Sequence, residues 1–347
     1  MNPIMLLLST LSLVAGTITT LTSHHWILAW IGLEINTIAI MPLMVMNHHP
    51  RAIEASTKYF LTQASASALL LFSCTLNAWT TGQWTITSPS NFISLVLSLT
   101  LMTKMGLAPM HFWLPEVLQG INLTTGLIIS TWQKIAPLTL LLQISHLINL
   151  DLTLLIAIMS SLAAGWGGMN QTQLRKIMAF SSIGHLAWTI IIIKFDSSMA
   201  LFNFLIYIIL STAMFSSLIF LSATKMSDLS SSTTKSPTIT SLTLLTLLSL
   251  AGLPPLTGFS PKLFIILELI KQNIFSLSAM ILLTSLLTLF FYLRLSYILS
   301  LTLPPGMPHL STVWRIPHPP MILLAPLTTS ATLLLPLSTT LMLIIQV

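Results

Sequence analysis

The sequence predicts an all-α polytopic membrane protein, and three observations carry that prediction. Of its 347 residues 54% are hydrophobic and only 6% are charged. A soluble domain has about 25% charged residues, so this chain could not cover a water-facing surface. Apolar runs of about twenty residues, the length of a bilayer-crossing helix, recur from end to end. The runs are continuous, whereas the strands of a β-barrel alternate in segments of about ten residues.

Eleven spans are predicted, near 4–22, 26–46, 57–79, 92–119, 124–145, 150–170, 176–194, 199–223, 239–270, 275–299 and 321–344. The connections are mostly short and leave no room for an extramembrane domain. The longest are 224–238, rich in Ser, Thr and Lys, and 300–320, which carries six prolines and two histidines. Met1-Asn2-Pro3 leads straight into the first span without a basic segment, so no signal peptide is expected.

The basic residues then sort by side. With the N-terminus on side A, that side receives Arg51, Lys58, Arg175, Lys176, Lys225, Lys235, Arg294 and Arg315. The other side receives Lys194 and Lys271. This bias turns the N-terminus toward the cytoplasm or its equivalent, the mitochondrial matrix. A missed or invented span would have scattered the later charges over both sides.

Spans 4 and 9 are too long for a straight crossing. The fourth contains Pro109 and Pro115, the ninth Pro254, Pro255 and Pro261. Proline inside a helix removes a hydrogen bond and clashes with the preceding turn, and freed backbone at membrane depth survives only where protein or water satisfies it. Both spans are therefore predicted to be broken helices. They lie five spans apart, an odd number, so a second unit would be inverted relative to the first, as in ion-transporting proteins. The expected organisation is a single membrane domain with a first five-helix repeat at 1–145 and a second at 150–299. A loop and a C-terminal helix follow at 300–347.

Several functions are excluded by composition. Cys74 is the one cysteine, which leaves no disulfide, thiolate metal site or iron–sulfur cluster within the chain. The net charge of +6 forms no basic cluster beyond Arg175-Lys176, so nucleic acid is not an expected partner. No His/Cys/Asp/Glu group has metal-ligand spacing. No phosphate-binding lysine loop and no dinucleotide-binding glycine pattern is present.

Four ionisable residues lie near the middle of spans: Glu34, Lys104, Lys134 and Lys262. Each costs about 2.5–3.5 kcal/mol at the bilayer centre, roughly 10 kcal/mol for the four before compensation. A lysine near a span end can carry its ammonium to the interface, and that suits Lys194 and Lys271. It suits Lys104 and Lys134 badly, since both stand ten residues or so inside their spans; the predicted break blurs the depth of Lys262. A static pair is the other ordinary explanation, but one carboxylate cannot neutralise three lysines. Buried lysines respond with a lowered pKa, and titratable groups joined by water make a proton relay. His185, about ten residues into span 7, is a candidate member. His111, two residues past Pro109, is either a member or a structural histidine. Glu116 fits an interfacial or helix-end role.

The segments GLEINTIAIMPLM, EASTKYFLTQASAS, KMGLAPMHFWLPEV, TWQKIAPL, GGMNQTQLRKIMAFSSIGHLAW and LAGLPPLTGFSPKL resemble the mitochondrially encoded subunit 2 family of NADH:ubiquinone oxidoreductase, respiratory complex I, in its shortened animal form. The likeness runs from the start to about residue 300, and the last fifty residues resemble the family only in hydropathy. The resemblance implies an antiporter-like fold of two inverted five-helix units. It also implies that Glu34 and Lys104 are a coupled pair, Lys134 the central relay lysine, and Lys262 a residue on the second broken helix toward the exit. His185 matches a histidine that links the halves.

By the same resemblance the chain carries no cofactor, and NAD, FMN, iron–sulfur clusters and ubiquinone belong to other subunits. The expected partners are other membrane and accessory subunits of complex I and membrane lipids such as cardiolipin, in the mitochondrial inner membrane with the N-terminus on the matrix side. Met110 replaces a usual aromatic residue and Ser260 a usual aliphatic one; neither is titratable. His48-His49 is unusual and unexplained. A stand-alone cation/proton secondary transporter is the alternative, although it would need a further acidic residue beside Glu34 in mid-membrane. A scaffold subunit is a third reading, and four buried charges are a strange cost for one.

Overall fold

A computed structural model describes residues 3–46, 49–86, 90–301 and 323–346. His48 and the proline-rich connection at 302–320, with Arg315, lie outside the described residues. Among the described residues all regular structure is helical apart from two isolated bridges. The chain forms two compact units, Met1–Ser160 and Ser161–Val347.

The first unit contains α1 (Pro3–Thr22), α2 (Trp26–Met44), α3 (Pro50–Thr81), α4 (Asn91–Met105), α5 (Trp113–Gly120), α6 (Leu123–Ser130) and α7 (Ile135–Gln143). The helix α8 (Leu150–Met169) passes from the first unit into the second. The second continues with α9 (Leu174–Ile192), α10 (Ser197–Leu221), α11 (Met226–Lys235), α12 (Pro237–Ala251), α13 (Phe259–Lys271) and α14 (Phe275–Leu301). It ends with α15 (Leu324–Leu333) and α16 (Ser338–Gln346). Among the described residues six helices, α1, α2, α3, α8, α10 and α14, are each long and apolar enough to cross a bilayer, and the bent pair Leu324–Leu333 and Leu335–Ile345 counts as a seventh. Its 67° bend replaces the single C-terminal helix read from the sequence.

The long fourth and ninth spans are interrupted where their prolines stand, between α4 and α5 and between α12 and α13. A third interruption was not predicted. In the fifth span α6 and α7 are separated by a 3₁₀ turn at Trp132–Lys134. Pro137 explains it: the carbonyl of Gln133, four residues back, has no amide to receive in an α-helix, and the ring crowds it.

The many hydroxyls of these helices are satisfied locally. Ser98, Ser130, Ser217 and Thr246 each donate to the carbonyl three residues back, so they can be buried without a distant partner. At the helix ends, loops are tied to loops. His25 bridges Thr85 in the first unit and Gln173 bridges Lys225 in the second.

The segment read as a Ser/Thr-rich connection at 224–238 is helical over α11. Asp228 starts it, its Oδ2 accepting from the amides of Thr224 (3.0 Å) and Lys225 (2.9 Å) and from the Thr224 hydroxyl (3.0 Å). Partial burial raises its carboxyl pKa, but those hydrogen bonds and the Lys225 charge outweigh it and hold the group below the usual carboxylate range. A group depressed in this way stabilises the fold above its ordinary pKa and loses that contribution as pH falls through the folded-state value. Asp228→Ala is therefore expected to cost about 1 kcal/mol of local stability at neutral pH and nothing once the carboxyl is protonated. Hydrogen exchange of the Thr224 and Lys225 amides against pH checks this; a cost independent of pH would refute it.

Candidate functional site

Each unit encloses one small cavity that contains two of the residues singled out from the sequence. In the first unit Lys104 and Lys134 line it together with Thr37, Tyr59, Gln63 and Gln133. The space is about 10 Å³, room for roughly one water. Lys104 stands in the last turn of α4, where the helix dipole favours a cation. It is only 6% exposed, and among the described residues Nζ has no hydrogen-bond partner. Lys134, 2% exposed, is carried by the 3₁₀ turn between α6 and α7.

Glu34 lies on α2 beside this cavity, between its lining residues Leu33 and Thr37. It does not hydrogen-bond Lys104: among the described residues Glu34 Oε2 and Lys104 Nζ are both buried without a hydrogen-bond partner. A charge on its carboxylate would act through space on Lys104 and on the buried Tyr59. Two amides that the sequence reading missed fasten the surroundings. Gln63 Nε2 donates to the Lys104 carbonyl at 3.4 Å, and Gln133 Nε2 to the Asn36 carbonyl at 3.0 Å. The second bond joins the turn that carries Lys134 to the helix that carries Glu34. For Gln133 the available signal was the adjoining mid-span Lys134; Gln63 has no such neighbour in the sequence.

In the second unit His185 and Lys262 share a cavity, also about 10 Å³, with Ser161, Ser181, Thr284 and Tyr292 among its walls. His185 projects from the deeply buried α9 and its ring lies 5.6 Å from that of Tyr207. Lys262 reaches back across the break, and Nζ donates to the Ala251 carbonyl at the end of α12 (2.8 Å). A helix C-terminus is the natural seat for an ammonium group, since its last carbonyls lack intrahelical donors.

The two breaks share a local design. Residues 106–115 read GLAPMHFWLP and residues 252–261 read GLPPLTGFSP. Gly, Leu, Pro, an aromatic residue and a second Pro recur at the same five places. Gly106 (φ +83°) and Gly252 (φ +84°) both adopt the left-handed conformation. Both helices end in the same pair of bonds. Gly106 donates to Thr103 and Leu107 to Met102; Gly252 donates to Ser249 and Leu253 to Leu248. This is the Schellman closure, which calls for glycine at that place.

The remaining candidates fall outside the cavities. His111 stands within the first break with Nδ1 3.2 Å from the Pro109 carbonyl and its ring 4.1 Å from that of Phe112, and it does not line the cavity of Lys104. Glu116 occupies the first turn of α5 and pairs with Lys58 at 2.8 Å; Lys58 also meets Glu54 at 2.7 Å. These side chains are about half exposed, so solvent screens the network and it adds little to stability. Lys271, at the end of α13, pairs with Glu268 (3.0 Å).

Residues 23–288 match the family described as NADH:quinone oxidoreductase/Mrp antiporter, transmembrane. Residues 289–342 match the NADH dehydrogenase subunit 2 C-terminus, so the C-terminal segment shares more than hydropathy with the family. A protein of Aquarana catesbeiana named NADH-ubiquinone oxidoreductase chain 2 is 59% identical, over 99% of this chain and 100% of its own length. A chain of respiratory complex I from Thermus thermophilus superposes with a TM-score of 0.79 at 25% identity, covering 95% of this chain and 79% of that one. A chain of the archaeal membrane-bound sulfane sulfur reductase has the same fold, with a TM-score of 0.85 at 21% identity over 97% and 74% of the two chains. The chain belongs to the transmembrane family shared by NADH:quinone oxidoreductases and Mrp antiporters, within the branch of NADH-ubiquinone oxidoreductase chain 2.

Proposed function

We propose that this chain is a proton-translocating membrane subunit of respiratory complex I, in which electron transfer from NADH to ubiquinone elsewhere in the assembly drives protonation changes along Glu34, Lys104, Lys134, His185 and Lys262. The observation that carries the reading is the placement of two titratable groups in each of two water-sized cavities beside broken helices. The first cavity is lined by both Lys104 and Lys134 and has room for about one water to carry a proton between them, and a change in the charge of Glu34 alters the field on Lys104. In the second, His185 exchanges with Lys262, whose ammonium is seated on the Ala251 carbonyl. The chain holds no redox group of its own in this reading; NAD, FMN, iron–sulfur clusters and ubiquinone bind other subunits. His111, tied to its own break, keeps a structural role or a peripheral place in the relay.

We also propose eleven spans in two five-span repeats, with the N-terminus on the matrix side of the mitochondrial inner membrane. Four ties support the parity of that topology, since each joins residues that it assigns to one side. The bridge of His25 to Thr85 links the connections after spans 1 and 3, and that of Gln173 to Lys225 links those after spans 6 and 8. Lys58, at the start of span 3, pairs with Glu116 at the end of span 4. Arg294, at the end of span 10, donates to the carbonyl of Met169 at the end of span 6 (2.8 Å). The shared sequence of the two breaks supports the repeat. Other complex I subunits, and lipids such as cardiolipin, are the partners in this reading.

A native gel of gently solubilised membranes, stained for NADH oxidation and probed for this chain, tests the assignment. Co-migration with a very large NADH-oxidising band is expected; migration as a small oligomer without that activity would promote the stand-alone transporter. Within the assembled complex, Glu34→Gln is expected to slow coupled turnover several-fold without loss of assembly, because it removes the charge that acts on Lys104. Unchanged turnover would break the link between the two residues.

A further inference from the structure

Thr257 stands in the second break at the place His111 holds in the first. His111 turns back on its own break, toward the Pro109 carbonyl. Thr257 reaches out of its break: its hydroxyl donates to the main-chain carbonyl of Ala331 in α15. Thr257 is 2% exposed and Ala331 fully buried, so neither group has an alternative partner in lipid. The carbonyl is free to accept because Ala331 lies in the last turn of α15, where the final four carbonyls have no intrahelical donor. The helix cannot continue past that turn regularly, since Pro336 offers no amide to Thr332, and there the chain bends by 67°.

From Thr257 the path to the relay lysine is short. The Thr257 carbonyl accepts from the amide of Ser260 (3.3 Å) and from its hydroxyl (2.9 Å), which fixes the first turn of α13. Lys262 is two residues further on and points back to the Ala251 carbonyl (2.8 Å). The C-terminal segment thus holds the loop that aims Lys262. The titratable groups that share its cavity are His185 from α9 and Tyr292 from α14, while α12 contributes Leu250.

We propose that Thr257 is a positioning residue for Lys262, and that the C-terminal span acts on the relay through the Thr257–Ala331 hydrogen bond. The inference rests on the relay reading above. Thr257→Val keeps the shape of the side chain but removes the donor, leaving the Ala331 carbonyl buried and unpaired and the start of α13 free to shift. Thr257→Ser retains the donor.

The test uses the assembled complex in its native membrane, with amounts normalised to the NADH-oxidising band. Thr257→Val is expected to lower coupled turnover about fivefold, the effect of one net hydrogen bond on the working geometry, and to displace the pH profile of that turnover; Thr257→Ser restores both. A valine variant with parental turnover and pH profile overturns the proposal. So does one that merely yields less complex while the assembled fraction keeps the parental profile. Lys134→Met, measured alongside, separates the two levels. If it pumps at the parental stoichiometry the relay reading itself has failed, whereas if it is uncoupled and Thr257→Val is parental, only the positioning role has failed.

Discussion

Methionine in place of Lys134 is expected to leave the complex assembled and to lower the rate of proton translocation by about a hundredfold or more, the scale on which a positioned acid–base group contributes. Assembly survives because the side chain is 2% exposed and methionine is unbranched and similar in volume. Replacing a buried ion by a well-packed apolar residue is often neutral or stabilising, and methionine adapts to irregular space. Translocation does not survive because the cavity then holds Lys104 alone among its ionisable amines. The measurement is NADH oxidation against the collapse of a pH gradient in proteoliposomes of the purified complex, with assembly followed on native gels. Normal proton stoichiometry would remove Lys134 from the relay. Loss of the complex itself would mean that the lysine's partners hold the helices together.

What the sequence revealed and what it concealed divide along physical lines. The breaks in spans 4 and 9 were readable because several prolines stood inside apolar runs longer than a bilayer requires. The break at Trp132–Lys134 was hidden because span 5 has an ordinary length and Pro137 stands a full turn after the interruption it causes. The bend after Leu333 has the same cause, with Pro336 as the only mark. The helix α11 is hidden in the sequence because its Ser and Thr residues disfavour helix interiors, and the Asp228 bonds that start it span only a few residues. Buried lysines stood out individually because charge in an apolar run is conspicuous. Their pairing into cavities did not, since Lys104 and Lys134, or His185 and Lys262, are brought together only by packing. The amides of Gln63 and Gln133 were passed over because an uncharged polar residue in a span is easily read as filler.

Alanine at Gly252 and at Gly106 should give different defects, although the two glycines occupy the same place in matching breaks. Both have φ near +84°, so each substitution carries the same backbone penalty of about 1–2 kcal/mol. The added methyl group meets different neighbours. At Gly106 it approaches Leu114 Cδ1 (2.8 Å) and Trp113 Cζ2 (3.2 Å), apolar side chains that yield at the expense of packing. At Gly252 it meets Lys262 along its length, Nζ at 2.8 Å, Cδ at 3.0 Å and Cε at 3.1 Å. The ammonium has to leave the Ala251 carbonyl, and the seat of a relay residue is lost. Gly106→Ala is therefore expected to reduce the amount of complex more than the turnover of what assembles. Gly252→Ala should lower coupled turnover about tenfold in the assembled fraction, equivalent to about 1.4 kcal/mol of lost stabilisation. Coupled NADH oxidation per unit of complex on native gels decides between them. Equal losses of turnover would trace the effect to the geometry of a strained break in general and deny Lys262 a separate part; a loss confined to Gly252→Ala ties translocation to the contact between that lysine and the end of α12.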